Sequence, residues 1–391
     1  MASSGPERVM TARASATLAF VAGEASGDLL AGHLLRALHD RAPGLSSVGI
    51  GGPRMQAAGF DAWWPSERLA VNGYADVLAR LPELLLMRRR LRGRLLAEPP
   101  AVFVGVDAPD FNLQLERRLR QAGIPVAHLV SPSIWAWRRE RIELIRQAVD
   151  HMLCIFPFEP ALYADTGVKA TYIGHPLAEV IPLEPDREAA RRALALPADA
   201  RCLAVLPGSR QAEVKHLIAP FLAAAALLVQ RGLMSRVVVP IAHAGLRPMV
   251  LQAAAAHPDL PLHLIDGQSH TVLAACHLAL VASGTATLEC ALFKRPMVIG
   301  YRMSALSYRM MSGRGYLPDV GLPNILAGKR LVPELLQHDC TPLALADAAS
   351  DLLEHPAQLQ HLQDRFTDMH LSLRRDTAAL ASQAILDMIP A

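Results

Sequence analysis

The chain reads as an α/β protein made of two doubly wound parallel-sheet domains, and three observations lead there. Short apolar runs of strand length alternate with segments whose apolar residues recur at every third and fourth position, the pattern of strands joined by amphipathic helices. Such alternation places helices on both faces of a mostly parallel sheet. A stretch rich in proline and charge, Pro176–Asp199, interrupts it once, and afterwards the alternation starts afresh. At 391 residues the chain suits two domains of ordinary size.

Taken in order, the first half offers strands at Leu18–Ala22, Ser47–Ile50, Ala101–Val106, Val126–Val130, Met152–Phe156 and Thr171–Ile173. Helical patterns such as Leu29–Leu38 and Asn112–Gln121 lie between them. The second half offers Cys202–Leu206, Arg236–Ile241, Leu262–Ile265, Leu278–Ala282 and Met297–Tyr301. The predicted division is a disordered lead (1–17), a first domain (18–180), a second (181–363) and a C-terminal helix (364–391). The lead lacks the apolar core of a signal peptide.

Composition narrows the class. With 52% hydrophobic and 19% charged residues the chain has material for large cores and no mark of disorder. A net charge of +3 gives no argument for nucleic acid. The five cysteines form no CxxC pair and no metal-ligand spacing, so buried free thiols in a reducing cytoplasm are expected. No apolar run reaches the roughly 20 residues of a membrane span, so a soluble or peripheral protein is expected.

In doubly wound sheets ligands collect at the carboxyl ends of the strands, so the residues just beyond each strand matter. Leu278–Ala282 runs into Ser283-Gly284-Thr285 and then a helical pattern bearing Glu289. A strand turning through Ser-Gly-Thr into a helix offers free N–H groups and a positive dipole end to a phosphate. Glu289 sits where a carboxylate meets sugar hydroxyls. Cys202–Leu206 ends in Pro207-Gly208-Ser209-Arg210, with Glu213 just beyond, and Arg210 suits a diphosphate bidentately.

The first half has its own strand ends. Gly23–Asp28 offers Glu24 and Ser26, with Ser26 or Asp28 able to cap the next helix, and is not a GxGxxG fingerprint. Gly49-Ile50-Gly51-Gly52-Pro53-Arg54-Met55 packs three glycines into four residues, which points to close approach of backbone to a ligand, with Gly51, Gly52 and Met55 as contacts. Asp107 and Asp110 come after Ala101–Val106; Asp110 suits helix capping, which leaves Asp107 as the candidate general base. Ser131–Arg138 sets Trp135 and Trp137 beside arginines, fitting a sugar surface or a packing loop. His33, His128, His175 and His243 read as structural.

Together GEASGD (Gly23–Asp28), GGPRM (Gly51–Met55), VDAPDFN (Val106–Asn112), SPSIWAWR (Ser131–Arg138), IGHPL (Ile173–Leu177), LPGSR (Leu206–Arg210), SGTATLE (Ser283–Glu289) and NILAG with VPELLQ (Asn324–Gln337) resemble the bacterial lipid-A-disaccharide synthases. The resemblance runs from about residue 18 to residue 385. It implies a GT-B fold, two Rossmann-like domains facing each other across a cleft. It also implies transfer of 2,3-diacylglucosamine from UDP-2,3-diacylglucosamine to the 6-hydroxyl of 2,3-diacylglucosamine 1-phosphate. By the same resemblance Asp107 activates the acceptor. Ser209, Arg210, Glu289, Asn324 and Gln337 belong to the UDP side. The tail Asp364–Met388 is expected to cross back onto the first domain, and a homodimer with exchanged C-terminal domains is expected.

An inverting transfer needs a base at the attacking hydroxyl and stabilisation of departing UDP, and these residues supply both without a DxD motif or a histidine cluster. No cofactor and no metal are therefore expected. Both substrates would carry acyl chains, so the enzyme is expected in the cytoplasm, peripherally on the anionic inner-membrane surface. Leu78–Leu96, with its leucines and arginines, is the basic amphipathic candidate for that contact, or a surface helix with a buried stripe. Phe293–Met311 is a second apolar, basic stretch. The competing readings are another UDP-sugar enzyme of this fold, such as a UDP-N-acetylglucosamine 2-epimerase or the peptidoglycan N-acetylglucosaminyltransferase, and a non-catalytic nucleotide-sugar or lipid binder.

Overall fold

The computed structural model describes residues 16–69, 74–304 and 317–390. The expected lead lies outside them up to residue 15, as do Leu306, Tyr308, Met310 and Met311 of the second apolar stretch. The chain forms two compact units: the first runs to Pro176 and takes in Leu373–Ala391, and the second is Leu177–Ser372.

The first unit holds seven parallel strands: β1 (Thr17–Ala22), β2 (Ser46–Gly51), β3 (Asp61–Pro65), β4 (Val102–Val106), β5 (Val126–Leu129), β6 (His151–Cys154) and β7 (Lys169–Tyr172). Their order is β3-β2-β1-β4-β5-β6-β7, so the direction of winding reverses between β1 and β4 and the crevice opens at their carboxyl ends. β4 is buried along its whole length, as a continuous apolar run covered on both faces must be. Leu91 and Leu95 from the helix Tyr74–Ala97, with Leu115 and Leu119 from the helix Pro109–Gln121, pack against Phe103 in one core layer. The helix Thr377–Leu386 packs on the helix Ala25–Arg41, where Arg41 Nη1 donates to Gln383 Oε1 at 2.9 Å.

The second unit holds β8 (Cys202–Leu206), β9 (Arg236–Ile241), β10 (Leu262–Asp266), β11 (Leu278–Ala282), β12 (Met297–Tyr301) and β13 (Glu334–Leu336), in the order β10-β9-β8-β11-β12-β13. Here the winding reverses between β8 and β11. The helix Gln211–Gln230 is long and apolar enough to cross a bilayer, contrary to the expectation that no segment is. Its Leu217, Phe221 and Leu228 instead form the core beside Leu203 and Leu280.

The structure adds two strands and moves two expected boundaries. β3 and β13 were not anticipated, because a short edge strand needs no continuous apolar run. The units part at Pro176, where the helix Pro176–Val180 begins, not at residue 180. At the far end, residue 364 falls inside the helix Pro356–Leu373, which stays with the second unit up to Ser372. The break comes later, where Asp376 accepts from Ala379 N and caps the next helix.

Candidate active site

In the second unit the carboxyl ends of β8 and β11 frame a cavity of about 460 Å³ lined by Gly208, Ser209, Arg210, Glu213, Ser283, Gly284, Thr285 and Glu289. The β8 turn is built around Glu213, whose Oε2 accepts from Ser209 N at 3.1 Å and Arg210 N at 3.2 Å. Gly208 lies at φ +113°, and a side chain there would overlap the Glu213 carboxylate. That carboxylate fills the helix start, so this turn offers a ligand the exposed Arg210 guanidinium and not its amides. The β11 turn differs. Gly284, at φ +142°, opens into free space, and no side chain caps the adjoining helix Thr285–Leu292. Ser283 is held by donating to Val320 O at 2.9 Å. An uncapped helix start beside an exposed guanidinium is a site for an anion. Glu289, 3.5 Å from His270 Nε2, adds a partly buried carboxylate one helical turn further in.

In the first unit the carboxyl end of β4 carries Asp107. It and Ala108 are both left-handed, at φ +50° and +44°, a conformation that costs non-glycine residues about 1 kcal/mol or more each. Neighbours hold it there. Asp107 N donates to Leu129 O at 2.9 Å, and the buried Asn112 donates from Nδ2 to Asp107 O at 2.8 Å. The Asp107 carboxylate itself makes no hydrogen bond among the described residues and is only half-buried. Glu24 and Ser26 are exposed at the neighbouring start of the helix Ala25–Arg41.

A family model described as lipid-A-disaccharide synthetase matches residues 18–388. A lipid-A-disaccharide synthase from Aromatoleum aromaticum is 54% identical, over 94% of this chain and 95% of its own length. One from Verminephrobacter eiseniae is 55% identical, over 94% and 96%. The chain belongs to the lipid-A-disaccharide synthase family. It is thus an enzyme of lipid A biosynthesis. Among solved structures, the glycotransferase of kitacinnamycin aligns with a TM-score of 0.61 at 16% identity, covering 96% of this chain and 99% of that one. A Medicago truncatula protein complexed with UDP-glucose aligns with a TM-score of 0.60 at 10% identity, covering 96% and 99%. At such identities the likeness is one of fold, and the fold is GT-B.

Several residues expected as ligand contacts have internal work of their own. The three glycines of the GGPRM region are explained by packing. A Cβ at Gly51 would stand 2.6 Å from Met55 Sδ, one at Gly52 2.6 Å from the Asp28 carboxylate, and one at Gly49 would overlap Phe20 O. Met55 is fully buried. Asp28 does not cap its own helix. It accepts from Gly52 N, Arg54 N and Met55 N at 2.8, 2.9 and 3.1 Å. Asn324 is buried and saturated, donating to Val332 O and Glu334 Oε1 and accepting from Leu331 N and Val332 N. Gln337 pairs with the backbone of Met303. Glu334, inside the VPELLQ motif but not among the expected contacts, anchors this corner by accepting from Val320 N and Gly321 N at 2.8 Å each. Asp110 is no cap; it pairs with Arg138 and Arg141. The tryptophans part ways: Trp135 donates to Glu159 at 3.2 Å, while Trp137 is exposed with Arg138 over its ring at 4.3 Å. The cavity also uses Pro240, Ala242, Gly267 and Ser269, from the ends of β9 and β10, which carry no motif to betray them.

The helix Tyr74–Ala97 turns Met87, Leu91 and Leu95 into the core and leaves Leu81, Leu85, Leu86 and Leu96 largely exposed. Arg88, Arg89, Arg92 and Arg118 line a groove of about 270 Å³ beside Leu85. All five cysteines are buried free thiols.

Proposed function

We propose that the chain is an inverting transferase that moves 2,3-diacylglucosamine from UDP-2,3-diacylglucosamine to the 6-hydroxyl of 2,3-diacylglucosamine 1-phosphate. The products are UDP and the β-1,6-linked tetraacyl disaccharide 1-phosphate. The observation that carries this is the second-unit cavity, where the uncapped helix start at Gly284–Thr285 and the Arg210 guanidinium meet with Glu289 alongside. The amides and guanidinium take the diphosphate and the charge that develops as UDP leaves. Glu289 accepts from sugar hydroxyls. Asp107, with its carboxylate unengaged, takes the proton from the acceptor hydroxyl as that oxygen attacks the anomeric carbon from the face opposite UDP.

The reaction needs no resident metal on this reading, since Arg210 and the helix start supply the positive field. Among the described residues no cluster of three His, Cys, Asp or Glu is placed to hold an ion. The exposed leucines and the arginine groove of the helix Tyr74–Ala97 support peripheral attachment to the anionic inner surface of the cytoplasmic membrane. The family resemblance supports a homodimer.

The test is UDP release by the purified protein given the donor, with and without the acceptor, with EDTA as a further arm. Release should require the acceptor, survive EDTA, and fall roughly 100- to 10,000-fold in Asp107→Asn, the span of a general base. Release without acceptor would make the chain a hydrolase or epimerase. Loss in EDTA that Mg²⁺ restores would overturn metal independence.

A further inference from the structure

Two helices of the first unit share a groove whose charge no described side chain offsets. Along Tyr74–Ala97, Leu85, Arg88, Arg89 and Arg92 follow one another at the spacing of a single helical stripe. Gln114, Leu115 and Arg118 of Pro109–Gln121 line the other side of the groove, whose volume is about 270 Å³. Leu115 is buried, Arg88 and Arg92 are half-buried, and Arg89 and Arg118 are exposed. The described carboxylates of these helices are engaged elsewhere: Glu83 with Arg68 and Arg80, Asp110 with Arg138 and Arg141, and Glu116 with His128. Arg88 donates to a backbone carbonyl, Asp110 O at 3.5 Å, and Arg118 to the side-chain amide of Gln121 at 3.4 Å. None of the four guanidiniums meets a carboxylate among the described residues.

Like charges four apart on a helix repel. Burial, and after it the charge of Arg92, hold the Arg88 guanidinium below the ordinary arginine value. An oxyanion in the groove removes that cost, and the arginine fork matches phosphate geometry. Four guanidiniums exceed what the single charge of a phosphodiester needs. They suit a phosphomonoester, which carries about two negative charges at neutral pH. The position of the groove narrows the choice further. The helix Pro109–Gln121 starts two residues after Asp107. Arg88 reaches that start through Asp110 O and lies 5.9 Å from the centre of the Phe111 ring. Gln114 is about 6 Å further along the axis than Asp110, four residues at about 1.5 Å each, a span of the order of one sugar ring. Leu81 and Leu85, four apart on the opposing helix, are both exposed beside the groove.

We propose that this groove is the phosphate site for the lipid acceptor: Arg88, Arg92 and Arg118 hold its 1-phosphate, Leu81 and Leu85 lie against its acyl chains, and its 6-hydroxyl is thereby brought towards the Asp107 strand end. General attraction to an anionic bilayer needs the same charges but not their gathering in one groove. The inference rests on the acceptor proposed above, and the experiment separates the two. UDP release is measured in neutral detergent micelles, free of anionic phospholipid, for the parent and the double variant Arg92→Ala, Arg118→Ala. The acceptor is 2,3-diacylglucosamine 1-phosphate or its dephosphorylated form. The double variant should raise KM for the phosphorylated acceptor about 10- to 100-fold, leave KM for the UDP-sugar unchanged, and lose the preference for the phosphorylated form. An unchanged acceptor KM, or a preference kept in full, overturns the site and leaves the reaction in place. A defect seen only on anionic vesicles gives the groove to phospholipid headgroups and overturns the site as well. Release without any acceptor overturns the reaction itself. A second measurement needs no variant. Glucosamine 1-phosphate, soluble and free of acyl chains, should inhibit the parent competitively against the acceptor, where glucosamine should not. Equal inhibition by both, or by neither, overturns the proposal.

Discussion

At the scale of single residues, burial decides what a side chain is for. Glu159 and His175 have opposite consequences for stability. Glu159 is buried, and although it accepts from Ile155 N, Phe156 N and the Trp135 indole, loss of water dominates and lifts its carboxyl to about 7. The folded chain therefore binds this proton more tightly than the unfolded chain, so the group subtracts stability as pH rises through that window. Burial pushes His175 down to about 4, so it adds stability as pH rises towards the ordinary histidine value. The slopes oppose each other between them. Glu159→Gln removes one: its stability relative to the parent, measured by urea unfolding, should grow from acid to neutral pH by on the order of 2–3 kcal/mol. A constant difference would mean that the Glu159 carboxyl titrates alike in the folded and unfolded chains. The same scale shows where a sequence stops being legible. Asp107 could be picked out as a strand-end carboxylate, but Asn324 looked equally polar and available. Only the fold reveals that all its bonding capacity is taken up by Val332, Leu331 and Glu334.

At the scale of elements, the strands that could be read were those buried on both faces. β4 and β8 are unbroken apolar runs with every residue buried, the pattern that a strand covered by helices on both faces leaves in a sequence. The edge strands β3 and β13 escaped because they need only half a pattern. Turn chemistry was legible as turn chemistry, but its purpose was not. Glycines beside a strand end read alike whether they face open space, as Gly284 does, or a neighbouring side chain, as Gly52 does. Gly52→Ala distinguishes the two. If packing against Asp28 is the reason for the glycine, the variant should lose roughly 1–3 kcal/mol of stability while UDP affinity, measured calorimetrically, stays unchanged. Weaker UDP binding at unchanged stability would restore the ligand explanation.

At the scale of the whole molecule, the membrane contact proposed for the helix Tyr74–Ala97 can be tested through its exposed side chains. Leu81, Leu85 and Leu86 stand outward with the arginine groove behind them. Replacing Arg88 and Arg92 together by alanine should weaken binding to anionic vesicles about 10- to 30-fold, at about 1 kcal/mol per arginine. Added salt should weaken the parent in the same direction. Binding indifferent to both would leave the leucines as the sole attachment. Two Rossmann-like sheets were foreseeable from the restart of alternation after Pro176. The exact point of return was not, because the chain crosses back through Arg374 and Arg375, which carry no loop signature of glycine or proline. That return has a consequence for the growing polypeptide. Synthesis proceeds from the N-terminus, yet the first unit takes in Leu373–Ala391, a segment made only after the whole of the second unit. The second unit is continuous and can close while its older neighbour still waits for a helix to rest on Ala25–Arg41. A nascent chain arrested just short of Leu373 would thus carry its younger half finished and its older half open to proteases and chaperones.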